Sequence, residues 1–357
     1  MQGDYSLRGA KGFCQSHLSV IVPAYNEEEV LLEFHRRLSD VMNSLSKTWE
    51  VIYVNDGSGD STLALLEGLV KADPHVGFID LSRNFGKEIA MTAGLDHAFG
   101  DAVIVIDADL QDPPELIRDF VREWQQSGAD VVYGKRRTRA GESAIKRLTA
   151  HFFYRVIQKV SRVQIPEDTG DFRLMSHRAV AALRQLRETH RFMKGLFAWI
   201  GFPQKAILYD RDPRFAGTTK FNYWKLWNFA VEGITSFTTA PLKIATYLGL
   251  AIATYAFAYG AWAIYKTIVF GEAVRGYPTL IVVVLFLGGA QLAFIGVLGE
   301  YLGRLFDESK ARPLYLIKHL SFAITRHAAQ RIMGESDTAG MPALALRSTK
   351  VAADSKR

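Results

Sequence analysis

The sequence predicts an α/β protein: a doubly wound, mostly parallel sheet followed by a two-helix transmembrane hairpin. Three observations predict it. Short β-branched runs alternate with helical patterns from Leu18 to Tyr133, a polar cluster follows each run, and two long uncharged stretches lie between residues 240 and 305. The 357 residues are 48% hydrophobic and 22% charged, which excludes wholesale disorder and leaves room for about two domains. Lys plus Arg total 43 against 37 Asp plus Glu, and the resulting +6 suits an anionic partner without choosing among nucleic acid, nucleotide and lipid. Cys14 is the only cysteine, so neither an intramolecular disulfide nor a CxxC metal or redox pair can form.

Residues 1–17 are polar and contain glycine, and are expected to be a flexible tail. The first apolar segment is the short LSVIVPA, so no export signal is expected. The strands are LSVIV from Leu18, EVIYV from Glu50, GFIDL from Gly77, AVIVI from Ala102 and DVVYG from Asp130. DSTLALLEGLVKA and PELIRDFVREWQQ between them space their apolar residues by three and four, as amphipathic helices do. These elements belong to a domain over residues 18–220. An aromatic and basic segment over 221–243, FNYWKLWNF with Trp224 and Trp227, suits a headgroup interface. Trp199 in FAWIGF fits either that interface or ordinary core packing.

Ala245 to Tyr265 carries no charge and as a helix would be ~31 Å long, one hydrocarbon core. Gly276 to Gly299 is the second such run. The spans are placed at about 244–268 and 277–301 within 244–303, the alternative being two buried helices of a soluble core. Lys220, Lys225 and Lys243 precede the pair, and Arg304, Lys310, Arg312 and Lys318 follow it. The connecting loop has only Arg275 beside Glu272, so both termini are expected to be cytoplasmic. Residues 304–357 are expected to be a cytoplasmic juxtamembrane segment and flexible tail.

Ligands of such sheets sit at the carboxyl ends of the strands. There the chain places PAYNEEE, NDGSGDS, SRNFGKE, DADLQDPPE and KRRTR, while GxGxxG, GxxxxGK[ST] and HExxH are absent. If strand geometry persists past AVIVI, Asp107 and Asp109 point the same way and could hold one divalent cation, with Gln111 adding an oxygen and a diphosphate completing the sphere. Asp112 before Pro113, Pro114 and Glu115 reads as a helix start, and Asn26 with Glu27, Glu28 and Glu29 reads as the cap of the first helix. Asp56 fits either a base or ribose contact or an Asp-Gly turn.

VPAYNEE, NDGSGDST, SRNFGKEIAMTAGLDHA, DADLQDPPEL, TGDFRLMS and RFMKGLFAWIGF together resemble the family 2, GT-A class polyprenyl-phosphate glycosyltransferases, from about Leu18 to Ile317. That resemblance implies a GT-A fold and inverting transfer of a sugar to polyprenyl (undecaprenyl) phosphate at the cytoplasmic face of a bacterial inner membrane. Glucose from UDP-glucose is the first choice, and GDP-mannose, UDP-GlcNAc, UDP-galactose or a UDP-amino-pentose are the other donors. It further implies that Pro23, Tyr25 and Glu27 line the nucleoside pocket, Asp56 contacts the base, and Lys87 and Asp107 contact the donor. Asp109 and Gln111 would ligate Mg²⁺ or Mn²⁺, Arg136 would approach the phosphates, and Asp171 would sit near the reacting centre. Arg147, Arg155 and Arg173 would face the acceptor phosphate, although a solvated helix face accounts equally for the first two. Arg214 and Lys220 in RFAGTTK would clamp a phosphate, on a looser match. The implied partners are a nucleotide sugar, polyprenyl phosphate and membrane lipid, with no nucleic acid, a homo-oligomer allowed and a separate flippase downstream. The competing readings are a processive polysaccharide synthase, which would carry a QxxRW motif absent here, a lipid-sugar carrier, and a tethered transferase for a soluble acceptor.

Overall fold

The computed structural model describes residues 16–137, 169–210, 240–270 and 277–325. Four β-branched runs pair in parallel as β1 (His17–Ala24), β2 (Thr48–Asn55), β3 (Val76–Leu81) and β4 (Ala102–Val105), β1 lying between β2 and β4. Helices α1 (Leu31–Asn43), α2 (Thr62–Ala72) and α3 (Lys87–His97) make the crossovers between them. These strands are buried on both faces, which is why they read as continuous apolar runs. After a 3₁₀ turn at Pro114–Leu116 come α4 (Ile117–Ser127) and β5 (Val131–Arg136), as expected. Ile117, Phe120, Val121 and Trp124 bury one face of α4.

Three strands go beyond the expected set. β6 (Thr169–Ser176) runs antiparallel to both β4 and β5, and β7 (Gln204–Tyr209) pairs in parallel with β5. Between them α5 (His177–Gln185) is capped by Ser176, whose side chain accepts from Ala179 N, and α6 (Met193–Trp199) follows. β8 (Ile317–Ser321) lies in the part of the chain expected to be a juxtamembrane segment, yet it covers the open edge of β3 in antiparallel register. The domain therefore does not close at residue 220, because the exposed backbone groups of β3 are satisfied from beyond the hairpin. The sheet order is β7-β5-β6-β4-β1-β2-β3-β8.

Alternate strand residues feed two apolar layers. Phe34, Leu38, Leu66, Phe120 and Trp124 pack on one face, and Met91, Leu95, Val180, Met193 and Phe197 on the other. Packing of α3 on the second face needs Gly94, where a Cβ would come within 2.3 Å of Ile21 Cγ2.

Helices α7 (Ala240–Phe270) and α8 (Tyr277–Ser309) overrun the expected spans at their outer ends. Both are long and apolar enough to cross a membrane, over Leu242–Trp262 and Val282–Ser309, and neither window is buried. That argues against two core helices of a soluble domain. The end of α8 meets the loop before α6: Glu308 accepts from Thr189 N (2.6 Å) and Thr189 Oγ1 (3.2 Å), and Asp307 lies 3.1 Å from His190 Nε2.

Candidate active site

Strand order reverses between β1 and β4, and open α/β sheets bind ligands in the crevice at such a point. The loops on this rim are stitched to one another. Asn26 is left-handed at φ 54°, its Oδ1 accepts from Gly59 N (2.9 Å), and Glu28 accepts from Ser61 N (2.9 Å). The Asn26–Glu29 cluster is thus no helix cap; α1 starts later, behind Val30, and the cluster ties the β1 loop to the β2 loop. Gly57, at φ 65°, lets that second loop touch the third, since a Cβ there would sit 2.5 Å from Arg83 C and Asn84 N. Asp56 is 3% exposed and accepts from Phe85 N (2.7 Å) and Gly86 N (2.9 Å). Burial raises its carboxyl pKa and these two N–H groups oppose the rise. What Asp56 does here is hold the β3–α3 loop, and with it Lys87.

Lys87 is the centre of the site. Its Nζ donates to Asp107 Oδ2 (2.7 Å) and to Asp171 Oδ2 (2.6 Å), joining the ends of β4 and β6 to the start of α3. Burial opposes its charge, but the two carboxylates outweigh burial and hold the ammonium above its ordinary value. The carboxylates split. Burial, with Asp171 and Asp112 nearby, pushes Asp107 up to about 6 against the pull of Lys87. Burial acts the same way on Asp171, yet Lys87 and Lys194 overcome it and leave that carboxyl well below the usual range. Burial thus favours the protonated form of Asp107, while Lys87 and Lys194 favour the ionised form of Asp171. Asp107 Oδ1 and Asp171 Oδ1 are buried without a hydrogen-bond partner, so the protein leaves two acceptors unsatisfied.

Extended geometry ends at Val105, so Asp107 and Asp109 do not share one direction as a continued strand would require. Asp107 reaches Lys87, whereas Asp109 Oδ1 accepts from Gln111 N (3.1 Å). Leu110, between Asp109 and Gln111, is left-handed at φ 58° with its side chain buried, a costly conformation for a bulky residue and of the kind found at functional loops. Asp112 does not start the helix either: Pro113 occupies the cap position, and Asp112 is buried and accepts from Tyr209 Oη. Arg136 hydrogen-bonds the same Tyr209, at the mouth of β5.

The donor set at Asp109 and Gln111 is of hard oxygens, which fits a cation of the Mg²⁺ or Mn²⁺ kind. Among the described residues no group of three or more His, Cys, Asp or Glu stands together as a complete cage. Remaining ligands would have to be phosphate oxygens or water.

Residues 19–184 match the model of "Glycosyl transferase family 2", and residues 240–305 match that of the "GtrB C-terminal hairpin". An uncharacterized glycosyltransferase of Synechocystis sp. is 54% identical over 303 residues, 85% of this chain and 95% of that protein. The chain belongs to glycosyl transferase family 2. A prophage bactoprenol glucosyl transferase homolog of Escherichia coli is 50% identical over 303 residues, covering 85% of this chain and 99% of the relative. The bactoprenol glucosyl transferase of Shigella phage SfV is 50% identical over 302 residues, 85% and 98% of the two chains. The sheet is the GT-A fold of this family, and the hairpin supports membrane association.

In this family 2 transferase, Pro23 and Glu27 are half-buried and Tyr25 is exposed on the first loop of the rim. Arg173, expected at the acceptor phosphate, has its guanidinium engaged within the protein. It is 4% exposed, donates to the Asp171 and Gly170 carbonyls and stacks 3.5 Å from the Phe197 ring centroid, so it shapes β6 from within. Trp199 is 57% exposed, which removes the core-packing reading. Arg147, Arg155, Arg214, Lys220, Trp224 and Trp227 lie outside the described residues.

Glu88 is a neighbour that the sequence did not single out. Its Oε2 accepts from Met193 N (3.0 Å), joining α3 to α6. Burial first, then repulsion from Asp171, pushes its carboxyl up to about 7, against the pull of Lys87, the Met193 N–H and Lys194. A folded-state pKa above the unfolded value means that the native state gains a proton, so this group's cost is absent below the unfolded pKa near 4.5 and full above about 7. Glu88→Gln should therefore melt like wild type near pH 4.5 and become relatively more stable by ~1–3 kcal/mol near pH 8. Thermal unfolding of both proteins across that range measures it, and a difference independent of pH contradicts it.

Proposed function

We propose that this chain transfers glucose from UDP-glucose to a polyprenyl monophosphate at the cytoplasmic face of a bacterial inner membrane, with inversion at the anomeric carbon. The observation that carries the proposal is one continuous arrangement. The Lys87, Asp107 and Asp171 cluster lies at the sheet rim of a domain whose α6 loop is hydrogen-bonded to the foot of a membrane-length helix. A site so placed can take a soluble donor from one side and a lipid headgroup from the other. Glucose and the polyprenyl acceptor are supported by the bactoprenol glucosyl transferases, which are half identical over nearly their whole length.

The second ionisation of a phosphate monoester lies near pH 6, so the attacking oxygen is already largely anionic at neutral pH and needs no strong base. Asp171 suits this, because Lys87 keeps it ionised and its unsatisfied Oδ1 can accept from a sugar hydroxyl and fix the ring. Lys87 holds Asp107 and Asp171 in one geometry. Pro23, Tyr25 and Glu27 border the nucleoside, Asp56 shapes the pocket through the β3–α3 loop, and Arg136 faces the diphosphate. A divalent cation held by Asp109 and Gln111 would neutralise charge on the leaving diphosphate.

Purified protein incubated with labelled UDP-glucose and a short polyprenyl phosphate should yield chloroform-soluble label, and more of it than with GDP-mannose, UDP-GlcNAc or UDP-galactose. Label confined to the aqueous phase or to a long polymer overturns the reading. Orientation has its own test in Cys14, the only cysteine. A membrane-impermeant maleimide should label inside-out vesicles and leave right-side-out vesicles unlabelled. The reverse pattern contradicts a cytoplasmic amino terminus.

A further inference from the structure

The RFMKGLFAWIGF block was singled out in the sequence, and the roles assigned above leave its lysine unused. Lys194 is half-buried on α6 and makes no hydrogen bond or ion pair among the described residues. It borders a small pocket with Tyr133, Thr169, Arg173, Phe197 and Gln204, at the end of β6 where Asp171 stands. Its charge is felt there, since Lys194 is one of the groups that draw the Asp171 and Glu88 carboxyls down. Yet no carboxylate comes within ion-pair distance of it among the described residues.

Two described cations beside Asp171 are occupied. Lys87 is bound between two carboxylates, and Arg173 is spent on main-chain carbonyls and the Phe197 face. A half-buried ammonium with no direct ion pair among the described residues gains from a ligand that supplies one. Its location selects among phosphates. Thr189 and His190, five and four residues before Lys194, are the residues held by Glu308 and Asp307 at the foot of α8. Lys194 thus stands on the segment of the site tied to the hairpin, whereas the loops after β1 and β2 offer the nucleoside side.

We propose that Lys194 binds the monophosphate of the lipid acceptor, pairing its ammonium with the phosphate dianion beside Asp171. The assignment rests on the proposed acceptor being a phosphate monoester.

Farnesyl phosphate and farnesol, which differ only in the phosphate, test it directly by tryptophan-fluorescence titration of the detergent-solubilised full chain. Wild type should bind farnesyl phosphate about 10-fold or more tightly than farnesol. Lys194→Met should bring the two within about 3-fold, Lys194→Arg should keep most of the preference, and UDP affinity in the presence of Mn²⁺ should be unchanged in both. With Lys194→Met, the acceptor KM should rise while the donor KM holds. Lys194→Gln gives a second neutral variant if the Met protein melts early. Wild-type preference retained in the neutral variant, a loss of UDP binding in its place, or no phosphate preference in wild type each overturns the assignment. Failure of the general transferase reading is seen separately, as wild type that makes no chloroform-soluble product.

Discussion

Asp171→Asn should lower turnover by about 10³-fold while the protein folds, stays in the membrane and binds UDP normally. Asparagine keeps the shape of the side chain but removes the charge that Lys87 Nζ meets at 2.6 Å. It also exchanges one unsatisfied acceptor for an amide, so a sugar hydroxyl is no longer fixed by an ionised oxygen. With the acceptor already anionic, the loss is one of orientation and field, and it should fall on kcat more than on either KM. A pH profile separates this from lost base catalysis. Because Lys87 keeps Asp171 ionised far below neutrality, wild-type activity should show no ionisation from this residue between pH 6 and 8. A variant rescued by raising pH would instead mark Asp171 as a base.

Asp109→Ala should be the other severe change, removing about 10³-fold or more of the transfer without restoration at saturating Mg²⁺ or Mn²⁺. The residue is only partly buried, and its carboxylate caps its own loop at Gln111 N, so truncation leaves the core intact. Thermal melting near wild type together with near-zero product is the expected pair of results. Full turnover with saturating metal would show that the charge on the departing diphosphate is managed elsewhere.

The parallel half of the sheet was legible in the sequence because its strands are buried on both faces. LSVIV, EVIYV and AVIVI are continuous apolar runs, and each breaks into polar residues where it reaches the rim. β6 was not read as a strand, because TGDFRLMS alternates only briefly, with Phe172 and Leu174 on one face and Asp171 and Arg173 on the other, where Lys87 and Phe197 lie. β8 was hidden for another reason. Its partner β3 lies on the far side of the hairpin in sequence, and no local pattern encodes so distant a pairing. At the site, the residue types were readable and their partners were not. Asp107 and Asp109 were recognisable as acids at a strand end, yet the strand stops at Val105 and they reach different neighbours. Lys87 lies 84 residues from Asp171, so the ion pair that organises the site exists only once β6 has been placed against β4. Arg173 shows the converse: beside a catalytic-looking aspartate it reads as a phosphate ligand, and only the structure shows its bonds to main-chain carbonyls and its stacking on Phe197.

The account turns on where an activated sugar sits. Anomalous scattering from a crystal of the protein holding Mn²⁺ and UDP locates both at once. The expected map has its manganese peak at Asp109 and Gln111, the uracil beside Tyr25, and the end of the diphosphate directed toward Lys87 and Asp171. A nucleotide seated away from the β1 and β4 loops, or a metal peak that does not touch Asp109, would contradict it.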